Sequence, residues 1–265
     1  MPAASSSPFD GNRLLQDLHD ADRALLAPHL EPTTYAKGDV IFAAGTEVGA
    51  ITFPCRQTVV TLLIAMQDGR SAETATIGCE GAVGGVVSDG RVPASTSAVV
   101  QIGGPALRLD AAHLQEAKRR SATLRALFTR YSDCLLAQVL QSVACNALHP
   151  IEARCLRWLL TLQDRIAGDV LPVTHEQLAA MLGVQRTYLT RILSTLQAQG
   201  LLRVGRGRIT VLDRAAMVDA ACECHGAVHR HYDTVLGAGH AVAGPSERAA
   251  QPGRDGIAAR RDAAR

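Results

Sequence analysis

Lysine is almost missing from this chain: Lys37 and Lys118 are the only two among 27 basic residues, and all the others are arginine. With the abundance of alanine, this matches a GC-rich coding sequence, but arginine is also the better bidentate partner for phosphate and guanine. Long apolar runs are missing too. No stretch reaches the roughly 18–20 residues that a membrane span requires, so no membrane association is expected. The opening residues, MPAASSSPFDGN, lack a basic segment followed by an apolar core, so no signal peptide is expected. The seven cysteines are odd in number and scattered, which argues against a secreted disulfide framework and for a cytoplasmic chain with reduced thiols. No histidine falls between Thr33 and Asp110, so that region offers no His/carboxylate grouping for acid–base or metal catalysis, and an enzyme is not expected. The formal charge of +2 over 265 residues decides nothing, and 47% hydrophobic with 20% charged residues is ordinary for a folded chain of one large or two small domains.

What is present divides the chain into five stretches. Residues 1–13 are small and polar and are expected to be disordered. Residues 14–110 begin with short helices and continue as β-rich runs (VIFAA, AITFP, TVVTLLIAM, ETATIG, SAVVQIG, ALRLD) between recurrent glycines, the pattern of an antiparallel, cupin-like β-roll. Residues 111–149 carry neither Gly nor Pro before Pro150 and predict one long helix. Two apolar stripes run along it: Leu124, Phe128, Tyr131, Leu135 and Val139, and beside them Leu136, Leu140, Val143 and Ala147. Two faces imply two partners, the roll of the same chain and the same helix of a second copy. A single broad face inside a monomer is the alternative. The first stripe is taken as the dimer contact. Residues 150–217 form the second domain, and 218–265 an extension expected to be largely disordered beyond about 240. The fold class is α+β.

The segment from Thr174 to Val211 carries the chemistry. Thr174 is placed to cap a helix EQLAAML with Gln177 completing a capping box, and Gly183 supplies a turn. A second helix follows, from about Gln185 to Gln199, with Leu189, Ile192, Leu193 and Leu196 facing inward. Gln185, Arg186, Thr187, Tyr188, Thr190 and Arg191 lie at its outer, N-terminal side, where a recognition helix meets base edges, and Thr174 is counted with them among the expected DNA contacts. Arg186 is suited to a bidentate contact with guanine, and Arg191 either to guanine or to phosphate. Gly205 and Gly207 mark the tip of a β-wing whose Arg203, Arg206 and Arg208 are expected on phosphate or in the minor groove. No Asp or Glu interrupts the span from Arg186 to Arg208. The expected partner is double-stranded DNA. The competing class is a ligand- or metal-sensing protein that works through protein partners, its helix-turn-helix serving as a docking surface.

On these residues the chain resembles the Crp/Fnr regulators over residues 14–216. The family motif R-E-x-x-x-R stands here in GVQRTYLTRIL, with Arg186 and Arg191 at the two arginines and Thr187 at the glutamate. The resemblance implies a bacterial homodimer that regulates transcription at a near-palindromic site, with RNA polymerase as a plausible partner and an altered base preference. The family's cyclic-nucleotide site departs further. In EGAVGG, after Gly81, Ala82 replaces the ribose-holding Glu of G-E-x-G, with Gly84 at the motif's second Gly. In PASTSAVV, Thr96 replaces the phosphate-binding Arg, before Ser97. Arg91 lies nearby as a candidate substitute. Cyclic AMP is therefore not the expected effector. The iron–sulfur clusters of the family's oxygen sensors use cysteines near the N-terminus, and no cysteine precedes Cys55 here, so no cofactor is expected.

The stretch CECHGAVHRHYD contains Cys222, Cys224, His225, His229 and His231. His225 and His229 share a helix face, but Cys222 and Cys224 do not, and no second cluster completes a known zinc spacing. A structural role is preferred, with Cys222, Cys224, His225 and His229 the candidate ligands if a metal is held. Cys134, Cys145 and Cys155 read as small buried apolar residues.

Overall fold

Strand-forming runs separated by turn residues build three antiparallel sheets, two of them in the roll, as a computed structural model of the chain shows for residues 8–86 and 92–237. A 3-10 turn (Pro8–Gly11) leads to α1 (Arg13–Gln16), α2 (Asp20–Leu26) and a second 3-10 turn (Ala27–His29). The roll follows: β1 (Glu31–Tyr35), β2 (Val40–Phe42), β3 (Ala50–Pro54), β4 (Val59–Ala65), β5 (Ser71–Ile77), β6 (Ser97–Ile102) and β7 (Gly104–Asp110). Its sheets have the orders β1-β7-β3 and β2-β6-β4-β5. Next come α3 (Ala111–Arg120), α4 (Ala122–Leu148) and α5 (Ile151–Gln163), then β8 (Val170–Leu171), α6 (His175–Leu182), α7 (Arg186–Ala198), β9 (Leu202–Gly205), β10 (Arg208–Val211), α8 (Arg214–Ala220) and α9 (Cys224–Leu236). No helix among the described residues is long and apolar enough to cross a membrane.

Several expectations need correction. The N-terminal stretch is ordered from residue 8: Phe9 is buried, and the fully buried Asn12 donates through Nδ2 to the carbonyls of Pro54 and Gly81, both at 2.8 Å. The helix expected over 111–149 is two helices. Ser121 is extended, caps α4 by accepting from the Leu124 amide at 3.1 Å, and donates its hydroxyl to Asp22 at 2.5 Å. A serine that can satisfy the free amides of a helix start ends one helix and begins the next without Gly or Pro. The extension is ordered as far as residue 237, since α9 lies back along α4. The expectation of disorder beyond about 240 falls outside the described residues.

One core lies beneath β1-β7-β3. Phe53, Leu107 and Leu109 pack there against Leu14, Leu15 and Leu26 of the N-terminal helices, Leu114 of α3, and Leu124, Phe128 and Tyr131 of α4. Tyr232 of α9 closes this core and donates to Gln138 Oε1 of α4 at 3.3 Å, while Gln138 Nε2 donates to the Thr76 carbonyl at 2.9 Å. A second core, centred on Trp158, Leu159, Leu178, Leu193 and Ile209, belongs to residues beyond Pro150 but also takes in Val59 of β4. The two domains therefore share buried surface. A buried ion pair joins them: Arg165, just after α5, donates Nε and Nη2 to Glu80 Oε1 at 2.8 and 2.7 Å. Trp158 also donates its indole N–H to Glu73 of β5.

Candidate nucleic-acid interface and ligand cavity

Thr174 forms the expected capping box: its Oγ1 accepts from the Gln177 amide at 3.2 Å, and Gln177 Oε1 accepts from the Thr174 amide at 3.1 Å. Gly183 ends α6 at φ 67° and ψ 33°, a left-handed position that glycine occupies without steric penalty. Leu189, Ile192, Leu193 and Leu196 then bury one face of α7. The opposite face leaves Gln185, Arg186, Thr187, Tyr188, Thr190 and Arg191 open to solvent in whole or in part. Thr190 Oγ1 donates back to the Arg186 carbonyl at 3.0 Å. The wing is a hairpin whose two-residue tip is Arg206 and Gly207, with Gly205 ending β9 opposite Arg208. Arg203 pairs with Thr210, which places Arg203 and Arg208 on the exposed side of the hairpin while Leu202, Ile209 and Val211 are buried. The sequence reading missed β8, which adds a third strand in the order β8-β10-β9. At two residues it is too short to leave a periodic signal.

The roll encloses a cavity of about 340 Å³, lined mainly by apolar residues including Phe42, Leu62, Ile77, Val83 and Leu135. Among the predicted pocket residues, Ala82, Gly84 and Thr96 line it. Gly81 lies behind it, where a Cβ would collide with the Tyr131 hydroxyl. Ser97 Oγ accepts from the Ala44 amide at 3.0 Å. Arg91 lies outside the described residues. No charged side chain is among the described lining residues. Leu135 makes α4 one wall of the cavity, and Tyr131 ties the same helix to its rim. The Tyr131 hydroxyl accepts from the Ala82 amide at 2.9 Å and donates to the Ala82 carbonyl at 2.8 Å. Tyr131→Phe removes the partner of both buried backbone groups, and a loss of about 1–3 kcal/mol in urea unfolding is expected.

The stripe assigned to the dimer contact is for the most part used internally. Leu124, Phe128 and Tyr131 are buried in the roll core, and Leu135 and Val139 are half-buried. The neighbouring stripe is the free one: Leu136, Leu140 and Val143 are 55, 59 and 62% exposed. Periodicity finds both stripes but does not say which one the roll covers.

The C-terminal His/Cys stretch is divided between two clusters, with His231 apart from both and its Nε2 3.1 Å from Asp133 Oδ2. His225 and His229 turn their Nε2 atoms to Asp164 Oδ2 at 2.7 and 2.9 Å, and Arg214 donates to Asp164 Oδ1 at 2.6 Å. Burial alone would raise the Asp164 carboxyl, but the hydrogen bonds from His225 and His229 outweigh it and hold the group well below the usual carboxylate range. Cys222 and Cys224 point elsewhere, toward Cys145 and His149. Cys145 is thus part of a thiol cluster. Cys134 and Cys155 fit the expected packing role, and burial pushes their thiols up to about 11 and about 12, which keeps them protonated and inert.

A β-roll, a long connecting helix and a winged helix-turn-helix in this order define the fold of the Crp/Fnr transcriptional regulators. Residues 153–220 match the family described as the Crp-like helix-turn-helix domain. Solved structures with the same fold include FixK2 from Bradyrhizobium japonicum, at 16% identity and a TM-score of 0.63 over 73% of this chain and 98% of that one. A second is a CRP-family transcriptional regulator from Thermus thermophilus, at 20% identity and a TM-score of 0.60 over 71% and 96%. A third is the c-di-GMP responsive global regulator CLP from Xanthomonas campestris, at 18% identity and a TM-score of 0.59 over 73% and 98%. No curated protein matches the chain in sequence.

Proposed function

We propose that this chain is a sequence-specific DNA-binding transcription regulator that acts as a homodimer on a near-palindromic site. The observation that carries the reading is the exposed surface of α7 and the wing, where Arg186, Arg191, Arg203, Arg206 and Arg208 stand without an acidic residue between the first and the last. Gln185, Arg186, Thr187, Tyr188 and Arg191 face base edges in the major groove, and the wing arginines hold backbone phosphate. Thr187, with no carboxylate, accepts a different base from the one the family's glutamate selects.

Leu136, Leu140 and Val143 pair with their counterparts in a second copy, setting two recognition helices about 34 Å apart, one turn of DNA. Input enters through the roll cavity, whose described lining residues are uncharged and largely apolar and suit a small apolar molecule. Leu135 and Tyr131 place α4 against that cavity, so a ligand that prefers one setting of α4 shifts the spacing of the heads. RNA polymerase is the natural further partner of a regulator so placed.

Two measurements test this. In mobility shifts on sites selected from random DNA, Arg186→Ala should cost about 1–3 kcal/mol of discrimination at one base pair, whereas Arg206→Ala should weaken all sequences alike and lower the salt slope by about 1. Salt-independent or absent duplex binding, with a protein partner recovered in pull-downs, would favour the docking-surface reading instead. In sedimentation, Leu140→Glu should convert a dimer to a monomer while leaving the thermal transition of the roll in place. A dimer that persists would place the contact elsewhere.

A further inference from the structure

Cys145 lies in the last turn of α4 and His149 one turn on, at the C-cap, so the two side chains fall on the same face. Cys222 and Cys224 flank Glu223 at the start of α9. The four ligand atoms all lie within 4.8 Å of one another. Cys145 Sγ is 3.5 Å from Cys222 Sγ, and Cys224 Sγ is 3.4 Å from His149 Nδ1. In a tetrahedral zinc site with Zn–S near 2.3 Å and Zn–N near 2.0–2.1 Å, the ligand-to-ligand edges are roughly 3.8 Å for S–S and 3.6 Å for S–N. These separations therefore suit one ion; an iron–sulfur cluster, with several metals between its ligands, would spread them further. All three cysteines are buried.

The surroundings match as well. His149 presents Nδ1 to the cluster, and its other nitrogen, Nε2, lies 3.3 Å from Glu223 Oε1, the carboxylate–histidine arrangement that fixes the tautomer and orientation of a metal-bound imidazole. Gln141 donates Nε2–H to Cys224 Sγ at 3.0 Å, as donors around metal thiolates do. We infer that Cys145, His149, Cys222 and Cys224 bind one Zn²⁺ ion in a closed, structural Cys₃His site that fastens α9 to the elbow between α4 and α5. The residues that pin the elbow come from segments more than seventy positions apart. The ion holds α9 against the end of α4, beside Pro150 where the chain turns into α5. Asp164, His225 and His229 form a separate group whose carboxylate is already taken by Arg214 and both imidazoles, so they are not part of the site.

The test uses the full-length chain, loaded with Zn²⁺ under reducing conditions and desalted. Elemental analysis should find one zinc per chain. Alkylation followed by peptide mapping should show Cys145, Cys222 and Cys224 protected with zinc and reactive once it is chelated. Co²⁺ in its place should give the intense visible bands and sulfur charge-transfer absorption of a tetrahedral thiolate site. Cys222→Ser with Cys224→Ser should abolish retention, while Cys79→Ser and His225→Ala should keep it. The unmutated chain gives the mapping and cobalt readouts even if the double variant fails to fold. No retained zinc, a Cys145–Cys222 disulfide in its place, equal reactivity of the three cysteines with and without zinc, or zinc lost on His225→Ala would each overturn the assignment.

Discussion

Glu80→Ala should lower the stability of the chain by about 3–5 kcal/mol, the cost of leaving a buried charge without its partner. Side-chain exposure is 6% for Arg165 and 3% for Glu80, so water does not screen the pair. Glu80 Oε1 accepts Nε and Nη2 of Arg165 and also the Gly78 amide at 3.0 Å. Truncation strands the guanidinium, which among the described residues keeps the bond from Nη1 to the Thr161 carbonyl at 2.8 Å. In a thermal scan this is a fall in Tm of roughly 10 °C for a chain of this size. Arg165→Ala should be comparably damaging. Replacing both together, as Glu80→Leu with Arg165→Met, should recover most of the loss, because an apolar pair of similar volume needs no compensation. A single-variant effect below about 1 kcal/mol would mean that water reaches the pair and that the two domains are less closely joined than the geometry indicates.

Asp164→Asn should be the second large effect, again about 3–5 kcal/mol at neutral pH. The carboxylate is fully buried and joins three elements: Arg214 from α8, and His225 and His229 from α9, around the end of α5. Its pKa is depressed in the folded chain, so its stabilisation is complete above the unfolded value near 3.9 and is lost as pH falls toward the lower folded one. The gap between the native chain and Asp164→Asn should therefore hold from about pH 5 upward and narrow as the pH is lowered below about 4. Urea titrations across that range measure it. A gap unchanged down to about pH 3 would assign the effect to lost packing rather than to charge.

The legible parts of this fold were those written locally. Thr174 with Gln177, Gly183 and the inward leucines of α7 lie close together in sequence, and each acts on its neighbours, so the helix-turn-helix emerged from residues alone. The β-runs were legible for the same reason. What stayed hidden depends on distant partners. The Ser121 break is a cap strengthened by Asp22 a hundred residues earlier. The free stripe of α4 is decided by where the roll and Tyr232 sit. The cysteine cluster needed Cys145 and His149, which no spacing rule connects to Cys222. His225 and Cys224 are adjacent in the chain yet serve different groups, so reading them as a single motif combined two sites.

The return of α9 along α4 also bears on how the chain is made. Tyr232, which seals the core beneath β1-β7-β3, is synthesised only after the whole winged helix-turn-helix. The core that holds Phe128 and Tyr131 is therefore incomplete until α9 has been made. A nascent chain that stalls near residue 217 would hold every residue of the predicted reading head and a roll core without Tyr232. Folding from the N-terminus would leave this core without Tyr232 until α9 has been made.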